Sequence, residues 1–371
     1  IIYVIILVIF SSQVFADSWR PNQVGSFLSS KIARSITDIE NSAYFAEYSY
    51  NRNPDSFALG AIALEALIAN GQIIEALPIG LKISKNMPEI TLAQYISMID
   101  SLNSNSYSKV LDILLNISPN GIDNFILPIL QTWAAAGSNK ELGGLEIMKA
   151  QANRGVLDPL YDYQSALIYE FIGDIENAHI SYKNIIKRSN NANAHVYSRA
   201  AIFFANNNLP DLYSETLNKL ETIDPYSNEL FILKKNENYA KKTKITNIKQ
   251  GISEVFLNSA EILFNEGLDR QALIYAQISS YLEPNSDSAN YLLGRIFKSI
   301  NNNQRAIKYF KKVNEYSLVI HDANIAYAET LYDIEGLSNS KEFLNNMKKS
   351  FPDNINYLRT MAELFYKADD F

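Results

Sequence analysis

The 371-residue sequence contains no cysteine. That excludes disulfides, thiolate metal sites, cysteine nucleophiles and a lipidated N-terminal cysteine. Histidine is nearly as scarce, with His179, His195 and His321 the three in the chain. None falls in a His-x-x-x-His or His-Glu-x-x-His pattern, so a helix-borne zinc site has no support, and each reads as an ordinary structural or surface histidine. There is no Gly-x-Ser-x-Gly elbow and no Gly-x-x-x-x-Gly-Lys phosphate loop. With no catalytic constellation and no cofactor motif, the chain is expected not to be an enzyme. A basic surplus is also missing. Lys and Arg number 33 against 40 Asp and Glu, a net charge of -7. A nucleic acid partner is therefore not expected, since phosphate binding needs clustered Lys and Arg.

Long apolar runs are absent beyond the first residues. Ile1 to Phe10 is apolar without a break, and Val14 and Ala16 follow at the spacing of a small-residue cleavage site. This reads as the apolar part of a signal peptide, cleaved after Ala16, with the start of the chain missing because there is no Met. The expected location is periplasmic or otherwise exported. An uncleaved inner-membrane anchor is the alternative, and no further membrane contact is expected.

What the sequence does have is a period of 34 residues. Small residues recur at that step at Ala260, Gly294, Ala328 and Ala362, and again at Ala272 and Ala306, with Ser340 next. A fixed interval of this length marks stacked helical hairpins, none of which can bury its apolar face alone. Counting a unit from Ser253, position 8 is Ala260 and position 20 is Ala272, where two helices cross and only small side chains allow close approach. Position 15 is Gly267, which caps the first helix, and position 32 is Pro284, which ends the second.

An earlier block keeps its own register. Its position 20 falls on Ser42, Ala76, Val110, Gly144, Ala178 and Leu212, and its position 15 on Gly71, Asn105, Asn139, Gly173 and Asn207. Gly143-Gly144 thus reads as a helix crossing rather than a phosphate loop. The units from Thr91 and Phe125 carry Met98 and Thr132 where a small residue is expected, so their crossings should be looser or shifted. Leu212 to Ala272 spans 60 residues, 26 more than one repeat. The surplus near 227–252 is either a lysine-bearing flexible linker or an extra helix through Glu229 to Leu233, and a short helix followed by a linker is favoured. The expected organisation is a signal peptide at 1–16, a partly degenerate block at 23–226, an insertion at 227–252 and a second block at 253–371, cut off after a first helix.

Leu293-Gly294, Phe297, Ala306 and Phe310 give Leu-Gly-x-x-Phe, then Ala, then Phe. On these residues the chain resembles the tetratricopeptide repeat (TPR) family, and its layout resembles long exported TPR proteins of alphaproteobacteria. The resemblance implies an all-α fold: a right-handed superhelical solenoid of antiparallel helix pairs, in two blocks. It also implies that the first helix of each unit lines a concave surface. In the first block that surface would hold Tyr163, Glu170, Tyr197 and Phe204. In the second it would hold Glu261, Tyr291, Arg295, Lys298, Glu329, Tyr332, Asp333, Arg359, Glu363 and Tyr366. The Lys and Asn clamp that some members use for a C-terminal carboxylate is absent.

Alternating Glu and Arg suit an extended or helical peptide of mixed charge. The expected function is a non-enzymatic protein–protein interaction scaffold that binds a peptide or protein along an open curved wall, in envelope assembly or maintenance. The alternatives are a substrate-recruiting arm of an enzyme whose catalytic domain lies beyond residue 371, and a membrane-anchored assembly factor.

Overall fold

The structure is a computed structural model that describes residues 22–138, 158–188, 194–235 and 244–368. The expected signal peptide, Asn139 and Gly144 lie outside the described residues. Nineteen helices are described, and no strand is found among the described residues. In the first block these are α1 (Gln23–Ser35), α2 (Ile39–Arg52), α3 (Phe57–Ala69), α4 (Ile73–Asn86), α5 (Thr91–Asn103), α6 (Tyr107–Leu115), α7 (Asp123–Gly137), α8 (Asp158–Ile172), α9 (Ile175–Arg188), α10 (Ala194–Asn206) and α11 (Pro210–Ile223). Then come α12 (Asn228–Lys235), α13 (Ile248–Asn265), α14 (Asp269–Leu282), α15 (Asp287–Ser299), α16 (Asn303–Phe310), α17 (Ile320–Glu335), α18 (Leu337–Ser350) and α19 (Asn356–Lys367). Successive helices pack as antiparallel pairs, giving the expected all-α solenoid of hairpins.

The period has a visible local cause. First helices open on side-chain caps: Asn22 accepts from the Gly25 N–H at 2.6 Å, Ser56 from Leu59 at 3.3 Å and Ser286 from Ala289 at 3.2 Å. Each side chain satisfies an N–H that the first helical turn leaves free. First helices end on a left-handed residue at Thr37, Gly71, Asn105, Gly173, Gly267 and Asn301. In one unit the left-handed residue is Asn208 rather than Asn207. There the helix continues one residue further, the Asn207 N–H bonding Phe203 O at 3.1 Å, so the crossing moves from Leu212 to buried Tyr213. Most other crossings fall on the expected residues: Ala76, Val110, Ala178, Ala260, Ala272, Ala306, Ala328 and Ser340 are fully buried, whereas Ala362 on α19 is exposed. At Gly294 even a methyl group would overlap the Phe310 ring of the next helix. Met98 and Thr132 are fully buried as well, so the larger side chains are accommodated within the packing.

Helix α12 lies in step with the first block, since Asn228 falls 34 residues after Ala194 at the start of α10. It runs for eight residues, and the register changes before α13 begins.

The largest departure from the sequence reading concerns the first block's inner wall. Instead of facing solvent, it is filled by the chain's own later helices. Helix α13 lies on α7 and α8, and α14 lies on α3. Phe256 meets Tyr95 edge-on at 5.2 Å, Gly251 lies flat against the Trp133 ring, and Gly137 accepts Ile248. Arg270 bonds Glu65 at 3.0 Å, and Arg305 reaches the Asn70 side chain at 2.6 Å. One continuous core runs from Ile39 to Ala326, while Ala328, Leu344, Tyr357 and Leu364 form a smaller cluster near the far end. The physical reason is the apolarity of that wall. Tyr95, Ile99, Leu130 and Trp133 would be exposed on an open superhelix, and burying a large apolar side chain is worth roughly 1.5–3 kcal/mol.

Candidate functional site: a charged seam between two cavities

Where the second block enters the first, polar side chains meet in a largely buried seam. Arg199 Nη2 lies 2.9 Å from Glu170 Oε2, with both side chains buried, and the Tyr182 hydroxyl donates to the same carboxylate at 3.2 Å. The Tyr163 hydroxyl donates to Glu254 at 3.0 Å, and Gln164 joins Trp133 to Asn258 with bonds of 3.0 and 2.7 Å. Asp123 accepts from both Tyr95 (2.6 Å) and Tyr275 (2.8 Å).

His195 sits at the centre of this seam. Its Nε2 is 3.5 Å from Glu254, and its Nδ1 is 3.9 Å from Glu229. Burial pulls its pKa down, but the hydrogen bond to Glu254 and the charges of Glu229, Glu254 and Glu261 outweigh that and raise it to about 9. Burial raises Glu261 to about 7, against the lowering effect of His195, and raises Asp322 to about 6. Glu254 moves the other way. Burial would raise it, but His195, Tyr163 and Asn258 hold its charged form, and it ends below the usual carboxylate range.

A stability profile follows from these values. The folded chain holds the His195 proton more tightly than the unfolded chain does. Its contribution is therefore complete below pH 6.5 and is lost as pH rises through 9. Glu261, also raised, loses stability in the same direction between its ordinary value and about 7. Thermal melts should fall as pH rises from 6.5 to 9.5 by the equivalent of roughly 2–3 kcal/mol, and His195→Gln should flatten that slope. A slope unchanged in the variant would remove His195 as its source.

The seam separates two openings. One is a cavity of about 660 Å³ walled by Tyr163, His195, Arg199, Glu254, the 283–288 turn and residues 316–318. The other, of about 300 Å³, lies between the start of α12 and the faces of α17 and α19, and it is lined by Asp224, Glu229, Asp322, Glu329, Arg359 and Glu363 among others.

The sequence-predicted residues divide accordingly. Tyr163 and Tyr197 are buried in contacts among the chain's own helices. Phe204 is buried too, and Glu170 is engaged by Arg199. Glu261 and Tyr291 are half-buried, and the Arg295 guanidinium lies over the rings of Phe264 (4.8 Å) and Tyr291 (5.6 Å). Lys298 pairs with Glu329. Lys367 lies over Tyr332 at 4.7 Å and pairs with Asp333 at 2.9 Å. The smaller cavity gathers Glu329, Arg359 and Glu363, and Tyr366 stands 73% exposed one helical turn beyond it.

The sequence reading did not place His195, Glu229, Glu254 or Asp322 in a site. One signal was available: His195 and Glu229 are 34 residues apart and so occupy the same place on consecutive first helices. Glu254 and Asp322 lie past the register break, where no such count connects them to His195. Among the described residues, no three of His, Asp and Glu are arranged to hold a metal ion, and no helix is long and apolar enough to cross a membrane.

The family model described as tetratricopeptide repeat matches residues 287–318. No curated protein matches the chain significantly. Similar solved structures include that of pilF from Pseudomonas aeruginosa, at 16% identity and TM-score 0.28, covering 55% of this chain and 97% of that one. Yeast Tom70 is similar at 12% identity and TM-score 0.29, covering 95% of this chain and 90% of its own. The Cut9–Hcn1 hetero-tetramer of the APC/C is similar at 13% identity and TM-score 0.31, covering 94% and 84%. The matched unit, residues 287–318, is similar to a tetratricopeptide repeat, and it is one of a series of helical hairpins with similar crossings and left-handed turns.

Proposed function

We propose that the protein is a non-catalytic interaction scaffold that holds a protein or peptide partner against the faces of α15, α17 and α19. The observation that carries this reading is the contrast between the two walls. The first block's inner wall is covered by α13 and α14, whereas Arg359, Glu363 and Tyr366 on α19 remain exposed at the edge of a cavity. Exposed arginine and tyrosine are the residue types that interfaces use as anchors. The mixed charge of Glu329, Arg359 and Glu363 favours a partner that presents both signs. We further propose that this work takes place outside the cytoplasm, in envelope assembly or maintenance, on the strength of the apolar start and the cleavage pattern at Ala16.

The test is site-specific photo-crosslinking in the source cell. A crosslinking amino acid at Tyr366 should trap a discrete protein, and one at Ile74, exposed on the outer helix α4, should not. Adding Arg359→Ala should weaken capture at position 366 with the melting transition unchanged. Equal capture from both positions, or capture indifferent to Arg359, would refute the assignment of this face.

A further inference from the structure

We infer that the outer face of α1 is a self-association surface, on which a second copy of this chain docks its own α1 antiparallel across a two-fold axis. The α19 face plays no part in this. Helix α1 is inverted relative to an ordinary surface helix. Ser26, Ser30 and Ala33 point inward, and the Ser30 hydroxyl donates to Ser42 O at 2.9 Å. Val24, Leu28, Ile32 and Ile36 point outward and are 52% to 66% exposed. Four large aliphatic side chains in a row leave on the order of 400 Å² of apolar surface in water, a size at which an exposed patch is commonly functional. The period identifies what such a face meets. Two repeats on, Ile96 occupies the place of Leu28, and it is fully buried against Gly80 of α4, the second helix of the preceding unit. The face is therefore shaped to take a helix, yet none covers it among the described residues. The outer end of a helical stack is ordinarily polar.

A second copy is the occupant that the pattern fits. The four side chains follow at steps of four, and rows of this kind interlock with their like at a crossing of about −50° in the commonest class of helix contact. With the two-fold axis at residue 30, Leu28 meets the partner's Ile32, and Val24 lies towards the partner's Ile36. The row is its own complement, as an interface between identical patches requires. No carboxylate lies on α1, and its two cations are engaged within the chain. Lys31 lies over the Phe27 ring at 5.4 Å, and Arg34 pairs with Glu65 at 3.0 Å. Docking therefore strands no charge on the ridge, and antiparallel helices set opposite dipole ends side by side. The ridge and its flanks bury about 1,000 Å² in total between two copies, the lower limit of a specific interface, so the dimer is expected to be weak.

The full chain, purified from its source cell, is sedimented across a concentration series, with half-association expected on the order of 10–100 μM. Ile32→Asp and Leu28→Lys should each raise that concentration by roughly tenfold or more, and Ile74→Asp, at an equally exposed site on α4, should leave it unchanged. The replaced side chains are exposed in the monomer, so melting should not change, and two variants keep the test intact if one fails to fold. The chain has no cysteine of its own, so single cysteines report the register. Mixed under mild oxidation, Leu28→Cys and Ile32→Cys chains should give the mixed disulfide at about fivefold over either like pair, against two to one from random collision. A ratio no higher than random overturns the antiparallel register. A chain that stays monomeric throughout the series, or whose association ignores both α1 variants, overturns the surface. A photo-crosslinking amino acid at Leu28 in the source cell should trap a second copy. A different protein trapped there instead overturns the second copy as occupant.

Discussion

Trp133→Ala should lower the folding free energy by about 3–5 kcal/mol, the range for emptying a buried tryptophan site. The side chain is fully buried on α7, tilted against Phe171 at 5.5 Å, and Gly251 of α13 lies flat on its ring. Its indole N–H donates to Gln164, which in turn donates to Asn258 on α13. Truncation therefore opens a cavity and leaves the Gln164 oxygen without its donor. It also removes the surface on which the second block rests. Urea denaturation should show the loss in midpoint, and small-angle scattering should show expansion as the blocks part. An unchanged midpoint would mean that α13 is not seated on α7.

Arg199→Ala should cost a comparable amount, again about 3–5 kcal/mol, for an electrostatic reason. Arg199 and Glu170 pair at 2.9 Å with side chains 8% and 5% exposed, and the arginine lies in the wall of the larger cavity. Removing the cation strands a buried carboxylate that keeps the Tyr182 hydroxyl at 3.2 Å but no opposite charge at that distance among the described residues. Replacing both members by apolar residues, Arg199→Met with Glu170→Leu, should recover most of the loss, because an apolar pair has no desolvation cost to offset. A double-mutant cycle by chemical denaturation measures this coupling. If the double variant is as unstable as the sum of the single ones, the pair is not coupled and the stabilisation lies in packing around Arg199.

Much of the repeat was legible because its determinants are local. Gly71, Asn105, Gly173 and Gly267 were read as caps and adopt left-handed backbone, since few residues tolerate that conformation. Ala260, Ala272, Gly294 and Ala306 were read as crossings and are buried, because close helix packing excludes large side chains. Asn208 shows the limit. Whether a helix stops at one asparagine or the next is a choice of a single turn, and the sequence offered two equivalent residues. Among the site residues, Glu329, Arg359 and Glu363 were legible as neighbours along stacked first helices. Tyr163 and Tyr197 were legible as first-helix residues too, but not as buried ones, because what covers them comes from elsewhere in the chain. His195 could be linked by the period to Glu229 but not to its other partner Glu254, which lies 59 residues away across a change of register.

The amino-acid order by itself determined the unit: caps, crossings and turns spaced at 34 residues commit each stretch to a helical hairpin through contacts made within it or with its immediate neighbour. Only the tertiary structure decided that the second block lies inside the first, which buries Tyr163, places His195 between two carboxylates and leaves the α19 face open. That outcome depends on matching surfaces such as Gly251 against Trp133, more than a hundred residues apart, and no periodic count reaches across the register break that brings them together.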